Sequence, residues 1–194
     1  MKPSGPIARR GDYKVEKIDH AVGADFIRAH HYARGCANTS VFAHGLFRAA
    51  ALVGVALWLP PTKVAAQSVA RLHEHEEWRR VLSLSRLALA PSEPRNAESL
   101  FIGRSLRLVW RDSRWVSLVT YADTRREHTG VIYRATNWEP RGLTKPEPCF
   151  LDASGRQVAR KSASKSRTRA EMEALGYRFA GSFAKHKFTM RRAA

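Results

Sequence analysis

Apolar and polar positions along this chain switch between a helical and an alternating period, and the switches mark its elements. In "HAVGADFIRAHHYA", residues 20 to 33, Val22, Phe26, Ala29 and Ala33 fall on one helical face, with Gly35 placed to end the helix. "TSVFAHGLF" and "ALVGVALWL", joined by a short basic turn, predict an antiparallel strand pair. "PPTKVAAQSVARLHEHEEWRRV" predicts a helix that starts at Pro61 and turns Val64, Val69, Leu72 and Trp78 inward. The strand "VLSLSRLALAP" follows and stops at Pro91. After the polar loop "SEPRNAES", the helix "LFIGRSLRLVW" sets Ile102, Leu106 and Val109 on one face and Arg104, Arg107 and Arg111 elsewhere.

"RWVSLVTYAD" predicts a further strand, and "TRREHTGVIYRATNW" a basic turn and a helix ending in Asn137 and Trp138. Thr124 with Glu127 reads as a capping box there. The last third holds a short β segment around "PCFLDASGRQV", a helix with a capping box from Thr168 to Glu171, and a final strand "KHKFTM". This order implies an α/β or α+β layered domain, a mixed central sheet with helices on both faces. At 194 residues without a compositional break, the expectation is one domain over residues 1–194 with a basic C-terminal segment, 156–194.

Charge narrows the class of partner. Against 17 acidic residues stand 34 Lys and Arg, a formal net charge of +17. Such an excess predicts a polyanion held by phosphate contacts, nucleic acid before anionic membrane. From Arg156 onward the basic residues are densest, and Lys161, Lys165, Arg167 and Arg169 are the candidate nucleic-acid contacts. The apolar run "GLFRAAALVGVALWLPP" is interrupted by Arg48 and Gly54 and is too short to span a bilayer. "MKPSGPIARRG" lacks a signal peptide's apolar stretch, so no membrane and a cytoplasmic location are expected. The two cysteines, Cys36 and Cys149, offer neither a disulfide framework nor a metal signature.

The strand–loop–helix–strand–helix run from residue 81 to 142 resembles the core of the GNAT superfamily of N-acyltransferases. That resemblance implies a splay between strands 4 and 5, with the donor in the gap and its phosphates over the start of the intervening helix. A closer resemblance lies in "HHY" at 30 to 32, "SRLAL" at 85 to 89, "RNAESLF" at 95 to 101 and "YAD…HTGVIYRATNW". With these motifs the chain resembles the Mom-type DNA modification proteins of bacteriophages, which alter the exocyclic amine of adenine in double-stranded DNA against restriction. By that resemblance His31, Tyr32, Arg86, Ser99 and Asp123 stand at positions where the family has functional residues. The implied product is N6-carbamoylmethyl-adenine, and the implied setting is the host cytoplasm during infection.

Acyl-CoA users in the superfamily wrap the pyrophosphate with a glycine-rich loop, whereas the equivalent loop here, "PSEPRNAES", has no glycine. Glycyl-tRNA is therefore the expected donor, because glycyl is an isomer of carbamoylmethyl and tRNA would be a second polyanion. Acetyl-CoA with another nitrogen source, with or without iron, is the rival. The candidate proton-handling residues are His31, Tyr32 and Asp123, which are also the candidate ligands should a metal be held, with His30 and His44 as further imidazoles. Arg86, Asn96, Ser99, Arg104, Tyr133 and Asn137 are the candidate donor-binding residues. Arg86, on a central strand, is expected to meet a carboxylate or phosphate, and Asn96 and Ser99 to cap the next helix. Tyr133 and Trp138 are candidate base stackers. Asp123 could instead be a helix cap, and Cys36 has no neighbouring base to make it a nucleophile. Two other classes stay open, an acetyl-CoA-dependent N-acetyltransferase acting on a protein or small-molecule amine, and a non-catalytic nucleic-acid binder.

Overall fold

A computed structural model describes residues 7 to 160 and 165 to 192. The chain divides into two compact units. The first comprises residues up to 121, 130 to 141 and 187 onward; the second comprises 122 to 129 and 142 to 186.

A seven-stranded sheet dominates the first unit, in the order β1 (Tyr13–Lys17), β2 (Phe42–Arg48), β3 (Ala51–Leu59), β4 (Val81–Leu89), β5 (Ser117–Asp123), β10 (Lys185–Arg191), β6 (Glu139–Leu143). β1 to β4 pair antiparallel, and β4 with β5 is parallel. The β2–β3 hairpin is closed by Ala49 and Ala50, both at positive φ (46° and 66°), which matches the twist of its strands.

Alternation along the strands sorts the helices by face. Phe26 and Ile27 of α1 (His20–His30) pack with Ala43, Val55, Leu57 and Ala88. Ala66 and Val69 of α2 (Lys63–Val69) pack with Val81 and Val119 on that same face. The opposite parity, His44 and Trp58, meets Ser105 of α3 (Ala97–Val109). The expected mixed sheet with helices on both faces is thus observed.

Two helices differ from the expectation. In α1 the inner face is Gly23, Ala24, Phe26 and Ile27, while Val22 is exposed. Gly23 lies so close to Leu57 and Val55 that an added Cβ would stand 3.0 and 3.4 Å from them, a contact that hydropathy cannot signal. α2 stops at Val69 instead of running to Trp78, and Val64 is exposed. Glu76 explains the stop, since it accepts both terminal nitrogens of Arg191 at 2.7 Å and the His73 amide at 2.8 Å. That ion pair, with Glu76 6% exposed, overrides the local helical period and holds "HEHE" as a loop.

α4 (Val131–Arg134) is a single turn starting at Gly130, whose φ is +73°. The Phe188 ring lies where a Cβ on Gly130 would be, 2.2 Å from it, so only glycine fits. In the second unit β7 (Glu147–Leu151) lies between β8 (Gln157–Val158) and β9 (Arg178–Phe183). α5 (Arg169–Ala174) carries the expected capping box of Thr168 and Glu171 and packs Met172 inward.

Candidate active site

β4 and β5 pair only from Val81↔Ser117 to Leu84↔Thr120, and beyond Leu84 β4 continues to Leu89 paired with β3 alone. The splay expected between strands 4 and 5 therefore opens after Leu84. A β-bulge falls at the same point, for Trp58 faces Leu84 while Leu57 faces Arg86, with Ser85 as the extra residue. The bulge sends the Arg86 side chain to the α1 face. Its Nε donates to the Gly35 carbonyl at 2.8 Å and its Nη1 to Ser85 O at 2.7 Å. Arg86 thus meets carbonyls, not the carboxylate or phosphate expected of it, and clasps the loop after α1.

Thr120, fully buried at the last rung, donates to Leu84 O at 3.0 Å. Burial raises the Tyr133 pKa, with the Thr120 hydroxyl working the other way and Glu98 adding to the rise. Tyr133 therefore stays protonated at neutral pH and can donate but not accept a proton. Its ring packs against Trp138 and Phe188 at 5.9 and 5.3 Å. Tyr133 and Trp138 are both buried, which corrects the expectation that they stack on a base.

A cleft of about 450 Å³ is lined by Ala8, Arg10, Asn96, Ser99, Leu100, Gly103, Arg104, Arg107 and Ala135 to Asn137. Four of the six candidate donor-binding residues, Asn96, Ser99, Arg104 and Asn137, meet there. Arg10 and Arg107 were missed. Arg107 stands one turn beyond Arg104 on the same helical face, a signal that could have found it; Arg10 comes from a segment without hydrophobic pattern. Arg104 donates to the carbonyls of Tyr13 and Arg10 and forms no ion pair with an acid among the described residues.

The first turn of α3 borders this cleft, and no side chain caps it. Asn96, at φ 64°, spends Oδ1 on the Ala8 amide at 3.0 Å, and Ser99 Oγ donates back to Asn96 O at 3.0 Å. The expected caps are absent for that reason. Three guanidinium groups, an uncapped helix start and no acid in the lining suit a phosphate-bearing ligand. Glu98, in the same first turn, opposes an anion there.

His31 is the C-cap of α1, its amide bonded to Ile27 O at 2.9 Å. Its ring stacks on Tyr32 at 4.3 Å, and Tyr32 is 40% exposed. Asp123 lies in the second unit, 8% exposed, and its Oδ1 accepts the Arg125 amide at 3.0 Å. Asp123 is itself the cap of the turn Thr124–Arg126, whereas Thr124 Oγ1 donates to Ala184 O at 2.7 Å and Glu127 takes a positive φ of 57°. The expected Thr124–Glu127 box is not formed, because tertiary partners claim the Thr124 hydroxyl. Cys149, buried in the same unit, has its thiol pKa pushed up chiefly by burial, which disfavours the thiolate.

Lys161 lies outside the described residues. Lys165 pairs with Glu171 at 2.6 Å, and Arg169 pairs with Glu173 at 2.9 Å and lies 4.2 Å over Phe179. Arg167 exchanges backbone and side-chain bonds with Arg160. Among the described residues no group of three or more His, Cys, Asp or Glu is placed to hold a metal ion, and no helix is long and apolar enough to cross a membrane. His44, one of the imidazoles considered as a ligand, is buried against Ser105 at 2.7 Å.

The model of the Mom protein family matches residues 12–192. The chain is 31% identical over 131 residues to the methylcarbamoylase mom of Escherichia phage Mu, covering 66% of this chain and 53% of that protein. It thus spans about half the length of that curated relative. Among solved structures it resembles the apo form of an agmatine N-acetyltransferase mutant, with TM-score 0.53, 13% identity, and coverage of 93% of this chain and 100% of that one. A Bacillus subtilis acetyltransferase in complex with CoA gives 0.55 at 5% identity, covering 93% and 98%. An Elizabethkingia anophelis acetyltransferase with acetyl-CoA bound gives 0.54 at 8% identity, covering 93% and 99%. These likenesses show the fold, that of the GNAT acyltransferases.

Proposed function

The chain belongs to the Mom protein family, and from that premise we propose that it is a transferase converting adenine in double-stranded DNA to N6-carbamoylmethyl-adenine. The observation that carries the reading is the family match over residues 12–192 on a sheet whose β4 and β5 part after Leu84. The name of the phage Mu relative supports the same reaction.

The donor is a carrier of an activated glycyl group, glycyl-tRNA. Transfer forms a bond from N6 to the glycyl carbonyl carbon and breaks the carbonyl bond to the carrier oxygen, which leaves with the electron pair and gains the proton shed by N6. The free α-amine then attacks ring carbon C6, and the old C6–N6 bond breaks. The chain on C6 becomes NH–CH2–CO–NH2 without loss or gain of atoms. Arg10, Arg104 and Arg107 hold phosphates of the carrier, with Asn96, Ser99 and Asn137 as hydrogen-bonding partners in that cleft. The split beyond Leu84 takes the acyl end, and the Tyr133 hydroxyl supplies a proton or hydrogen bond to the departing atom. Tyr32 attends the amine.

Adenine N6 is covered by stacking in a duplex, so the base is flipped out before attack. Lys161, Lys165, Arg167 and Arg169 grip the backbone, the paired ones exchanging a local carboxylate for phosphate. The reaction takes place in the cytoplasm of a bacterial host.

Acetyl-CoA is the rival donor, favoured by the CoA and acetyl-CoA in two of the similar structures. In that reading the chain is an N-acetyltransferase. Purified protein given DNA and either charged glycyl-tRNA or acetyl-CoA separates the two. Modified deoxyadenosine is expected with glycyl-tRNA alone; modification with acetyl-CoA and no glycyl donor would overturn the glycyl route.

A further inference from the structure

We infer that the cleft beside the first turn of α3 continues into a second anion-binding pocket at the last turn of the same helix, and that the pair holds a single-stranded phosphodiester chain. That this chain is the end of the acyl carrier rests on the glycyl-tRNA reading above; the pocket does not.

A cavity of about 440 Å³ is lined by Lys17, Phe42, Leu108, Arg111, Asp112 and Ser113. Arg111 is exposed and has no ion-pair partner among the described residues. Lys17 has none either, and its Nζ stands 5.7 Å over the Phe42 ring. Asp112, the acid of this lining, is already paired. Arg114 holds its two carboxylate oxygens at 2.7 and 3.1 Å, and that hydrogen bonding lowers the Asp112 pKa to about 2. The wall that carries Asp112 and Ser113 is fixed in place. Arg192 donates to the carbonyls of Trp110 and Asp112 at 2.8 and 2.7 Å, and Arg80 to that of Ser113 at 3.3 Å. Both clamps add positive charge beside the cavity and take no carboxylate among the described residues.

The two hollows lie in succession along one helix. Arg104 and Arg107 line the first, and Leu108 and Arg111 the second. β1 follows the same course, since Tyr13 O takes Arg104 while Lys17 lines the far pocket with Arg111. From Arg104 to Arg111 the helix rises about 10 Å. A stacked strand advances about 3.4 Å per phosphate, so the row Arg104, Arg107 and Arg111 answers about three successive phosphates. A pyrophosphate, with two phosphorus atoms on one shared oxygen, needs only the first hollow. Phe42 and Leu108 supply apolar surface for a base of the longer chain. Gly103 lines the cleft, and an added Cβ there would meet nothing within 4 Å. Neither packing nor a positive φ calls for glycine at this place, and in mid-helix it weakens the helix. The space it leaves lets a chain lie along the helix flank.

Lys17→Ala and Arg111→Ala test the pocket, since both side chains are exposed and neither supports the fold. The full chain is titrated with a short single-stranded RNA, with duplex DNA and with CoA. Each variant is expected to weaken RNA binding by about fivefold and to lower the slope of log affinity against log salt by about 0.7, the share of one phosphate contact on a single strand. Duplex DNA and CoA are expected to keep their affinities within about twofold. RNA affinity and slope unchanged in both variants would overturn the inference. So would an equal loss for duplex DNA, which marks a general basic surface, or an equal loss for CoA, which assigns the pocket to a compact cofactor. A second readout locates the chain directly. RNA carrying a photoreactive thiouracil base, irradiated with wild-type protein, should mark peptides that contain Phe42 or Leu108; crosslinks confined to the segment after Arg156 would overturn the pocket. Loss of RNA affinity as expected, in a protein that modifies no DNA, would sink the glycyl-tRNA reading and leave the pocket intact. DNA modification from glycyl-tRNA with RNA binding untouched in both variants would overturn the pocket and leave that reading standing.

Discussion

His44 is the least solvated titratable side chain near the sheet's centre, with Nδ1 2.7 Å from Ser105 Oγ and Nε2 without a partner among the described atoms. Ser105 Oγ also takes the Trp58 indole N–H at 2.9 Å, so one hydroxyl serves two buried rings. Burial first, and the nearby Lys17 charge second, lower the His44 pKa from 6.5 to about 4. A depressed folded-state value means that the unfolded chain binds the extra proton first, so stability is lost as pH falls from 6.5 towards 4. Between pH 7 and pH 5 this amounts to about 2 kcal/mol. Urea unfolding at the two pH values should show that drop in wild type, and a smaller one in His44→Gln; equal drops would contradict it. Gly130 is a second sharp case. Gly130→Ala puts a methyl group into the Phe188 ring at a positive φ, and a loss of about 3 kcal/mol in the same assay is expected. An unchanged midpoint would mean that Phe188 does not lie there.

Among the elements, α3 contributes most of the lining of the candidate cleft. Its buried stripe of Ile102, Leu106 and Val109 was legible because each residue is apolar at helical spacing, and Arg104, Arg107 and Arg111 were legible as lying off that stripe. Their convergence with Arg10 was not, since it depends on a segment that holds Arg104 through the Arg10 and Tyr13 carbonyls. The β2–β3 pair, β4 and the α5 capping box were legible because their signals are local. β1, with three charged residues in five, and β6, exposed throughout, carry no such signal and were missed. The α2 stop and the loss of the Thr124–Glu127 box were also hidden, because Arg191 and Ala184, the partners that decide them, are more than fifty residues away in sequence. The cleft makes a prediction at this scale. Arg10→Ala and Arg107→Ala should each weaken binding of the phosphate-bearing donor by about tenfold, measured by titration calorimetry, while leaving the unfolding midpoint within about 0.5 kcal/mol. Unchanged affinity in both would move the donor's phosphates elsewhere.

For the whole chain, the +17 charge sets the partner more than the fold does. GNAT-like sheets carry many acyl transfers, so the fold narrows the reaction type and leaves the acceptor open. Part of the positive charge is spent locally, on Arg156–Asp152, Lys165–Glu171 and Arg169–Glu173, and exposed pairs of this kind exchange partners at little cost. The family match supplies the acceptor as a proposal, adenine in DNA, and one measurement bears on it directly. The protein is expressed in a bacterium, the DNA is digested to nucleosides, and deoxyadenosine is weighed by mass spectrometry. A heavier deoxyadenosine, with a gain equal to one glycyl residue and absent from a vector control, is expected; unmodified deoxyadenosine in cells that hold abundant folded protein would contradict DNA adenine as the acceptor.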